Sequence, residues 1–589
     1  MLNRAIVHDA KSQQWLLFEE PRCIVRADSC DRVVPELWRV HEIIRDRKWY
    51  AAGFVSYEAG PAFDPALSAY PPDGFPLLWF GLYEKPEVLE LPPASAGSDY
   101  TLGDWLPSVT REEYDRAITQ IRDDIARGET YQVNYSFRLR AEFSGDPRAL
   151  FLQLVRAQRA NYGAFVECDR WSICSASPEL FFHLSDGQLT SRPMKGTAAR
   201  GRTLAEDRAI AQWLQDSEKN RAENVMIVDM VRNDMGRVAD RHSVRVPRLF
   251  EVERYPTLWQ MTSTVTAKTG APLPEIFAAL FPCASITGAP KPRTMQLIRE
   301  LETAPRRIYT GCIGFMGGDR AEAQFNVAIR TVLVDRAAGR AEYGVGGGIL
   351  WDSTDKDEYR ECQVKARVLT VPRDDFSLLE TMLWTPESGY FLLEYHLKRL
   401  QESALYFGFS WSIETVKNEL ISLTKKLPAL PQKVRLLVDR GGSIRCETAV
   451  VKESGSDRSL CLGISPTPVD SDNPFLYHKT TNRTVYETAR ASRPDCDDVL
   501  LWNERGEVTE SCIANLVFQC GGELMTPPVR CGLLPGTFRE YLIKNNQIKE
   551  EIILLNKMGN FDKIYMINSV RKWREVQVNF SDQKHLERG

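Results

Sequence analysis

The segment Pro372-Arg373-Asp374-Asp375 interrupts the chain behind a helix-compatible stretch, and apolar patterning begins afresh at Phe376. Proline cannot continue a helix and biases the residue before it away from helical backbone, while the charges after it favour water over a core. This break constrains the fold because 589 residues exceed the roughly 250 to 300 that a single core serves. The pattern predicts two domains, 1–371 and 372–589.

Composition narrows the ligand class. A hydrophobic content of 43% and a charged content of 26% are ordinary for a globular protein. A net charge of -4 with both signs interspersed gives no field for nucleic acid and no polybasic strip for a lipid surface. Small molecules are the expected ligands. No apolar run approaches the roughly 18 residues of a spanning segment, and the first residues lack an apolar leader, so a cytoplasmic protein without a membrane contact is expected. Thirteen cysteines, scattered without close pairs at metal-ligand spacing, read as reduced thiols. Gly311-Cys312-Ile313-Gly314 looks like a glutaminase nucleophile turn, but no partnered His and Glu follow it.

Local patterns set the expected elements. Residues 1–105 alternate short apolar runs with Pro and Gly, which predicts strands rather than long helices. Thr110 and Glu113 form a capping box ahead of Tyr114, Ile118, Ile121 and Ile125, and Gly128 supplies the stop. A helix is expected over 219–229, where Glu223 shares a face with Ile227, and another over 355–368, where Glu358, Glu361 and Lys365 share one face after Gly346-Gly347-Gly348. A solvated charged face is the alternative for that cluster. Carboxylates facing a glycine-rich strand also suit Mg²⁺, which takes one or two protein carboxylates and completes its shell with ligand oxygens and water. Alternation over Phe325–Thr331 predicts a strand that sends Arg330 to the face opposite Phe325, able to meet a carboxylate or to join a structural ion pair. Lys195 sits in Pro193-Met194-Lys195-Gly196-Thr197, read as a stiff turn that presents an amine nucleophile.

These blocks, with Ser177-Pro178-Glu179-Leu180-Phe181, Arg232-Asn233-Asp234 and Ser285-Ile286-Thr287-Gly288-Ala289-Pro290-Lys291, resemble the chorismate-utilising enzymes, and within them component I of aminodeoxychorismate synthase, over most of residues 50–370. The resemblance implies an α+β fold of antiparallel sheets with flanking helices. It implies that Lys195 attacks the chorismate ring covalently, where anthranilate synthases usually carry alanine, and that Glu179 serves as the acid for the departing hydroxyl. Glu223 and Glu361, with Glu358 as auxiliary, map onto Mg²⁺ ligands; Tyr309, Arg330, Lys365, Gly346 and Gly347 map onto the substrate site. Gln260 stands where some relatives place histidine; an amide cannot transfer a proton, so only an orienting role is open to it. A separate glutamine amidotransferase subunit is implied as the ammonia source.

From Phe376 onward a helix is expected over 394–404, with strands at 434–438, 499–502, 516–518 and 564–567 around a mixed sheet. Lys479 in His478-Lys479-Thr480-Thr481, Glu510 and Asn515 in one block, and Gly532-Leu533-Leu534-Pro535-Gly536-Thr537-Phe538 resemble the fold-type IV pyridoxal phosphate enzymes, an α/β domain over about residues 376–578. The resemblance implies that Lys479 carries pyridoxal 5'-phosphate and moves protons, that Glu510 pairs with the pyridine nitrogen, and that Arg399, Gly536, Thr537 and Ser569 hold the phosphate; Phe538 stands where threonine is common. Linkage to the first domain favours an aminodeoxychorismate lyase as the second. A D-amino acid or branched-chain aminotransferase, an anthranilate-type first half, a non-catalytic docking domain and a homodimer through the second domain remain open.

Overall fold

The computed structural model describes residues 3–90, 100–318, 322–369, 376–451 and 459–580. The boundary expected at 371 falls outside the described residues. The chain divides into two compact units, one of Met1–Arg200 with Ile210–Arg373 and one of Gly201–Ala209 with Asp374–Gly589. Among the described residues no helix is long and apolar enough to cross a membrane.

Two large antiparallel sheets build the first unit. One, of 11 strands, runs through Gln132–Gly145, Arg340–Ile349, Thr331–Asp335, Trp171–Ser177, Tyr162–Cys168 and Arg4–Asp9; the other, of 10, through Met194–Ala199, Leu258–Lys268, Gln188–Arg192, Leu180–Ser185, Glu322–Val327, Cys312–Gly317 and Tyr50–Val55. Their inner faces share a core in which Val7, Ala164, Ile173 and Leu333 of the first sheet meet Phe54, Ile313 and Phe315 of the second. Helices cover both outer faces. Arg111–Ala126, Pro147–Gln158 and Lys291–Leu301 pack on the first sheet, and Cys30–Arg47, Glu218–Gly236 and Leu273–Leu280 on the second. Alternation within each strand supplies the inner and outer apolar faces that such stacking requires.

The capping box at Thr110 forms in both directions, with Glu113 N–H on the Thr110 hydroxyl and Thr110 N–H on the Glu113 carboxylate. Removing such a cap typically costs about 1 kcal/mol. Gly128 follows the helix end with φ 76°. The expectation of strands without long helices over 1–105 fails at the 18-residue helix Cys30–Arg47. Val33, Leu37, Val40 and Ile44 give that helix a buried stripe at helical spacing, and this outweighs the internal Pro35. The strand expected over 325–331 ends at Val327, and Arg330 takes φ 49° before the next strand opens at Thr331.

The second unit has two sheets. A four-stranded antiparallel sheet, Gly389–Tyr390, Leu378–Thr385, Gln432–Val438 and Ile444–Val450, carries the helices Leu393–Phe407 and Ile413–Thr424. An eight-stranded mixed sheet includes Val508–Ser511, Asp498–Trp502, Leu460–Ile464, Lys572–Val578, Lys563–Asn568 and Asn515–Cys520, and the pairing Glu510↔Asn515 joins the first of these to the last. That closure gives the sheet a barrel-like core of Leu462, Leu500, Leu516, Phe518 and Met566. All four strands and the helix expected after Phe376 are present.

Candidate functional site

Lys195 is aimed by a bulge rather than by a turn. Its strand, Met194–Ala199, pairs with Leu258–Lys268, and the register shifts between Met194 and Thr197. Such a shift re-aims the side chain inside it. Gly196 takes φ 94° there, and a Cβ would crowd Asn220 at 3.1 Å. Gln260 braces the bulge: its Nε2 donates to the Gly196 carbonyl at 2.9 Å and its Oε1 accepts from Thr197 at 3.3 Å. The amide therefore orients the lysine backbone.

The Lys195 ammonium group lies directly over the glycine strand Arg340–Ile349. A Cβ on Gly348 would fall 2.1 Å from Lys195 Nζ and 2.6 Å from Gln132 Nε2, so only glycine leaves the amine its place. A Cβ on Gly347 would meet Glu358 Oε2 at 3.0 Å and Glu361 Oε1 at 3.9 Å. Lys195, Glu179, Glu223, Glu358, Glu361, Tyr309, Arg330, Lys365 and Gly346 line one cavity of about 620 Å³.

The electrostatics of this cavity differ wall by wall. Glu179 is 2% exposed; burial pushes its carboxyl up to about 7, against the Ser285 hydroxyl that donates to Oε1 at 2.6 Å and the nearby Lys195. A carboxyl held protonated near neutrality is suited to donate a proton. Glu358, bonded by Ser353 at 2.6 Å, is pushed up to about 7 by burial and then by Glu361. Burial also raises Glu223, opposed by Lys195 and Lys219. Burial pushes Glu361 up as well, but Lys365 at 2.7 Å and Lys195 outweigh it and hold the carboxyl below its ordinary value.

Glu223, Glu358 and Glu361 line the same cavity, and Mg²⁺ takes only one or two protein carboxylates, completing its shell with ligand oxygens and water. Among the described residues no group of three or more His, Cys, Asp or Glu is placed to hold a metal ion, these three glutamates included. An open site that draws further ligands from the substrate is the arrangement Mg²⁺ uses.

Arg330 lines the same cavity. It is 6% exposed, its NH1 has no hydrogen-bond partner, and burial lowers it from the ordinary guanidinium value. A buried donor left open is costly unless a ligand fills it. Tyr309 packs flat on Gly344, where a Cβ would sit 2.2 Å from the ring. Lys365 is further engaged than the sequence implied, donating to the Gly346 carbonyl at 2.8 Å besides pairing with Glu361. Sequence reasoning missed Ser285, Asn134 and Gln132. Asn134 Nδ2 and both ends of the fully buried Gln132 amide lack partners, and their Tyr131-Gln132-Val133-Asn134 block carried no signal beyond following a helix.

In the second unit, Lys479 lies in a cavity of about 460 Å³ with Glu510, Arg399, Gly536, Thr537 and Ser569. The Lys479 carbonyl accepts from Leu379 N–H at 3.0 Å, which ties the lysine to the strand Leu378–Thr385. Burial, then the Arg399 guanidinium, bring its ammonium down to about 8. Burial pushes Glu510 up to about 7, against donors from Tyr486 at 2.8 Å, Leu534 N–H at 3.1 Å and Asn515 at 3.1 Å.

Gly536 is the N-cap of the helix Thr537–Lys544, and a Cβ there would fall 1.9 Å from Asn515 Oδ1. Backbone N–H groups at a helix start suit a phosphate. An amine brought close to neutrality, a carboxyl across from it and this helix start are the donor set that pyridoxal phosphate requires. Arg399 lines the cavity but forks onto Glu380 at 2.9 and 2.6 Å and donates to the Pro535 carbonyl at 3.1 Å, so it also fixes the loop ahead of Gly536. Ser569 donates to the Thr381 carbonyl at 3.1 Å. Phe538 also lines the cavity, while its ring packs in a cluster with Phe391, Tyr541 and Trp573. Lys433, Arg435, Arg483, Arg571 and Arg574, which sequence reasoning did not single out, line the same cavity.

Comparison with known proteins gives two family matches, the chorismate binding enzymes over residues 2–371 and class IV amino-transferases over residues 377–578. Aminodeoxychorismate synthase component 1 of Klebsiella aerogenes is 41% identical over 286 residues, 47% of this chain and 63% of the relative. The Escherichia coli protein of the same name is 41% identical over 276 residues, 46% of this chain and 60% of the relative. Each match thus spans less than two thirds of the relative. Among solved structures, anthranilate synthase component I from Streptococcus pneumoniae superposes with a TM-score of 0.53 at 26% identity, covering 62% of this chain and 92% of that one.

Proposed function

Because the chain belongs to the chorismate binding enzymes and carries a class IV amino-transferase domain behind that part, we propose that it makes 4-aminobenzoate in two steps. The first unit aminates chorismate to 4-amino-4-deoxychorismate with ammonia from a glutamine amidotransferase partner. The second removes pyruvate and leaves the aromatic amine. The observation that carries this reading is the Lys195 amine, seated over Gly348 in one cavity with buried Glu179 and the open guanidinium of Arg330.

In the first cavity the free amine of Lys195 bonds to carbon 2 of the chorismate ring, and the hydroxyl on carbon 4 leaves as water with a proton from Glu179. Ammonia then bonds to carbon 4 and the lysine departs from carbon 2. Glu179 is protonated below about 7, which suits it to the first departure. Arg330 receives a substrate carboxylate. One or two of Glu223, Glu358 and Glu361 would hold Mg²⁺, which when bound would supply positive charge for the other carboxylate.

In the second cavity Lys479, Glu510, Gly536 and Thr537 would hold pyridoxal phosphate, which when bound supplies an electron sink. Glu510 would keep a proton on the pyridine nitrogen, and the backbone ahead of Thr537 would hold the phosphate. Lys479 takes the proton from the ring carbon next to nitrogen. Lys433, Arg435 and Arg574 favour a substrate bearing two carboxylates over one with an apolar side chain, which supports the lyase over a branched-chain aminotransferase.

The test supplies the purified chain with chorismate, Mg²⁺, pyridoxal phosphate and ammonium, and identifies the product. 4-Aminobenzoate with pyruvate is expected. Anthranilate would overturn the first assignment, and 4-amino-4-deoxychorismate that accumulates unconverted would overturn the second.

A further inference from the structure

Away from both cavities, the thiols of Cys461 and Cys496 face one another with 3.0 Å between their sulfurs. Cys461 stands in the strand Leu460–Ile464; Cys496 stands in the loop between the helix Thr484–Ala491 and the strand Asp498–Trp502. Their backbones are already fastened at this point. Asp497 N–H donates to the Cys461 carbonyl at 2.9 Å, and Cys461 N–H donates to the Asp497 carboxylate at 2.8 Å. A disulfide bond is about 2.05 Å long, so the sulfurs need a side-chain movement of about 1 Å and no rearrangement of the strands. Gly463 keeps the approach open, since a Cβ there would stand 3.2 Å from Cys496 Sγ. Both thiols are half-buried, which leaves them within reach of a small reagent.

We propose that Cys461 and Cys496 form a reversible dithiol–disulfide couple, a modification site separate from both cavities whose reaction partner is a small-molecule disulfide. Burial, then the Cys461 thiol and the Asp495 carboxylate, push the Cys496 thiol up, and the Cys496 thiol is turned toward Asp495 Oδ2 at 3.4 Å. In the exchange Cys461 attacks first. Its sulfur, as thiolate, bonds to one sulfur of the reagent, the reagent's own sulfur–sulfur bond breaks, and one small thiol leaves. The Cys496 sulfur then displaces the second small thiol from Cys461, its proton passing to that leaving thiolate or through Asp495, whose Oδ2 lies 3.4 Å away. The two protein sulfurs are oxidised and one small disulfide is reduced to two thiols, so electrons balance. The bond would fasten the loop that follows the helix carrying Tyr486, the hydroxyl donor to Glu510.

The experiment treats the full chain with glutathione disulfide and maps non-reduced peptides by mass. The expected result is a cross-linked pair containing Cys461 and Cys496 that dithiothreitol separates. Cys496→Ser should hold one glutathione on Cys461, and Cys461→Ser should form no cross-link. Wild-type chain that carries glutathione on either thiol without the cross-link, or a cross-link from Cys461 to another cysteine, would overturn the proposal.

Discussion

Lys195 shares its cavity with Glu179, Glu223, Glu358 and Glu361, whereas Lys479 shares its own with Arg399, Lys433, Arg435, Arg483, Arg571 and Arg574 and, among the described lining residues, one carboxylate, Glu510. The first cavity mixes carboxylates with lysines and one guanidinium whose NH1 is open, a set that under the proposed reading would receive a divalent cation together with a dicarboxylate. The second is lined mainly by cations, two of them paired with Glu380 and Glu447 behind the lining, a set that under the proposed reading would receive a phosphate and a carboxylated substrate. The lesson is that one side chain serves two chemistries through its neighbours. A strand bulge and a glycine floor position Lys195, while burial beside Arg399 tunes Lys479 to about 8.

The largest effects come from removing either amine. Lys195→Ala should abolish amination or divert it to anthranilate, and Lys479→Ala should leave amination intact while 4-amino-4-deoxychorismate accumulates; product chromatography separates the two. Equal losses at both steps from either variant would break the comparison. Next, Gly348→Ala places a methyl 2.1 Å from Lys195 Nζ. Displacement of a reacting group by about 1 Å costs on the order of 100-fold, so amination should fall by that much while conversion of supplied intermediate is unchanged.

Opposite pH slopes should sharpen the contrast. Glu179 donates only when protonated, so single-turnover amination should decline as pH rises through about 7, and Glu179→Gln should lower it by about 100-fold and flatten the profile. Lys479 reacts as the neutral amine, so capture of pyridoxal phosphate by the cofactor-free chain should accelerate as pH rises toward about 8. Absorbance of the bound cofactor follows that step. The smallest effect is expected at the rim. Arg435→Ala should raise KM for the intermediate about tenfold, which is about 1.4 kcal/mol, with kcat unchanged.

The sequence made both lysines, the three glutamates that line the first cavity and the order of blocks legible, because each lies in a short motif whose neighbours constrain the backbone. It did not show how Lys195 is aimed. The bulge depends on a register shift against Leu258–Lys268, a long-range property that no local pattern contains. Arg330 was expected from strand alternation, yet it is aimed by a left-handed break at φ 49° after the strand has ended. Helix Cys30–Arg47 was obscured by Pro35, although Val33, Leu37, Val40 and Ile44 carried its period. The basic rim of the second cavity joins residues from three separated segments, Lys433 and Arg435, Arg483, and Arg571 with Arg574. Only folding unites them.

The most direct measurement is peptide mass mapping of the chain quenched during turnover of chorismate, Mg²⁺ and ammonium, after borohydride reduction of a matched sample loaded with pyridoxal phosphate. The account predicts a ring adduct on Lys195 and a pyridoxyl group on Lys479. Both lysines recovered unmodified under turnover would contradict it.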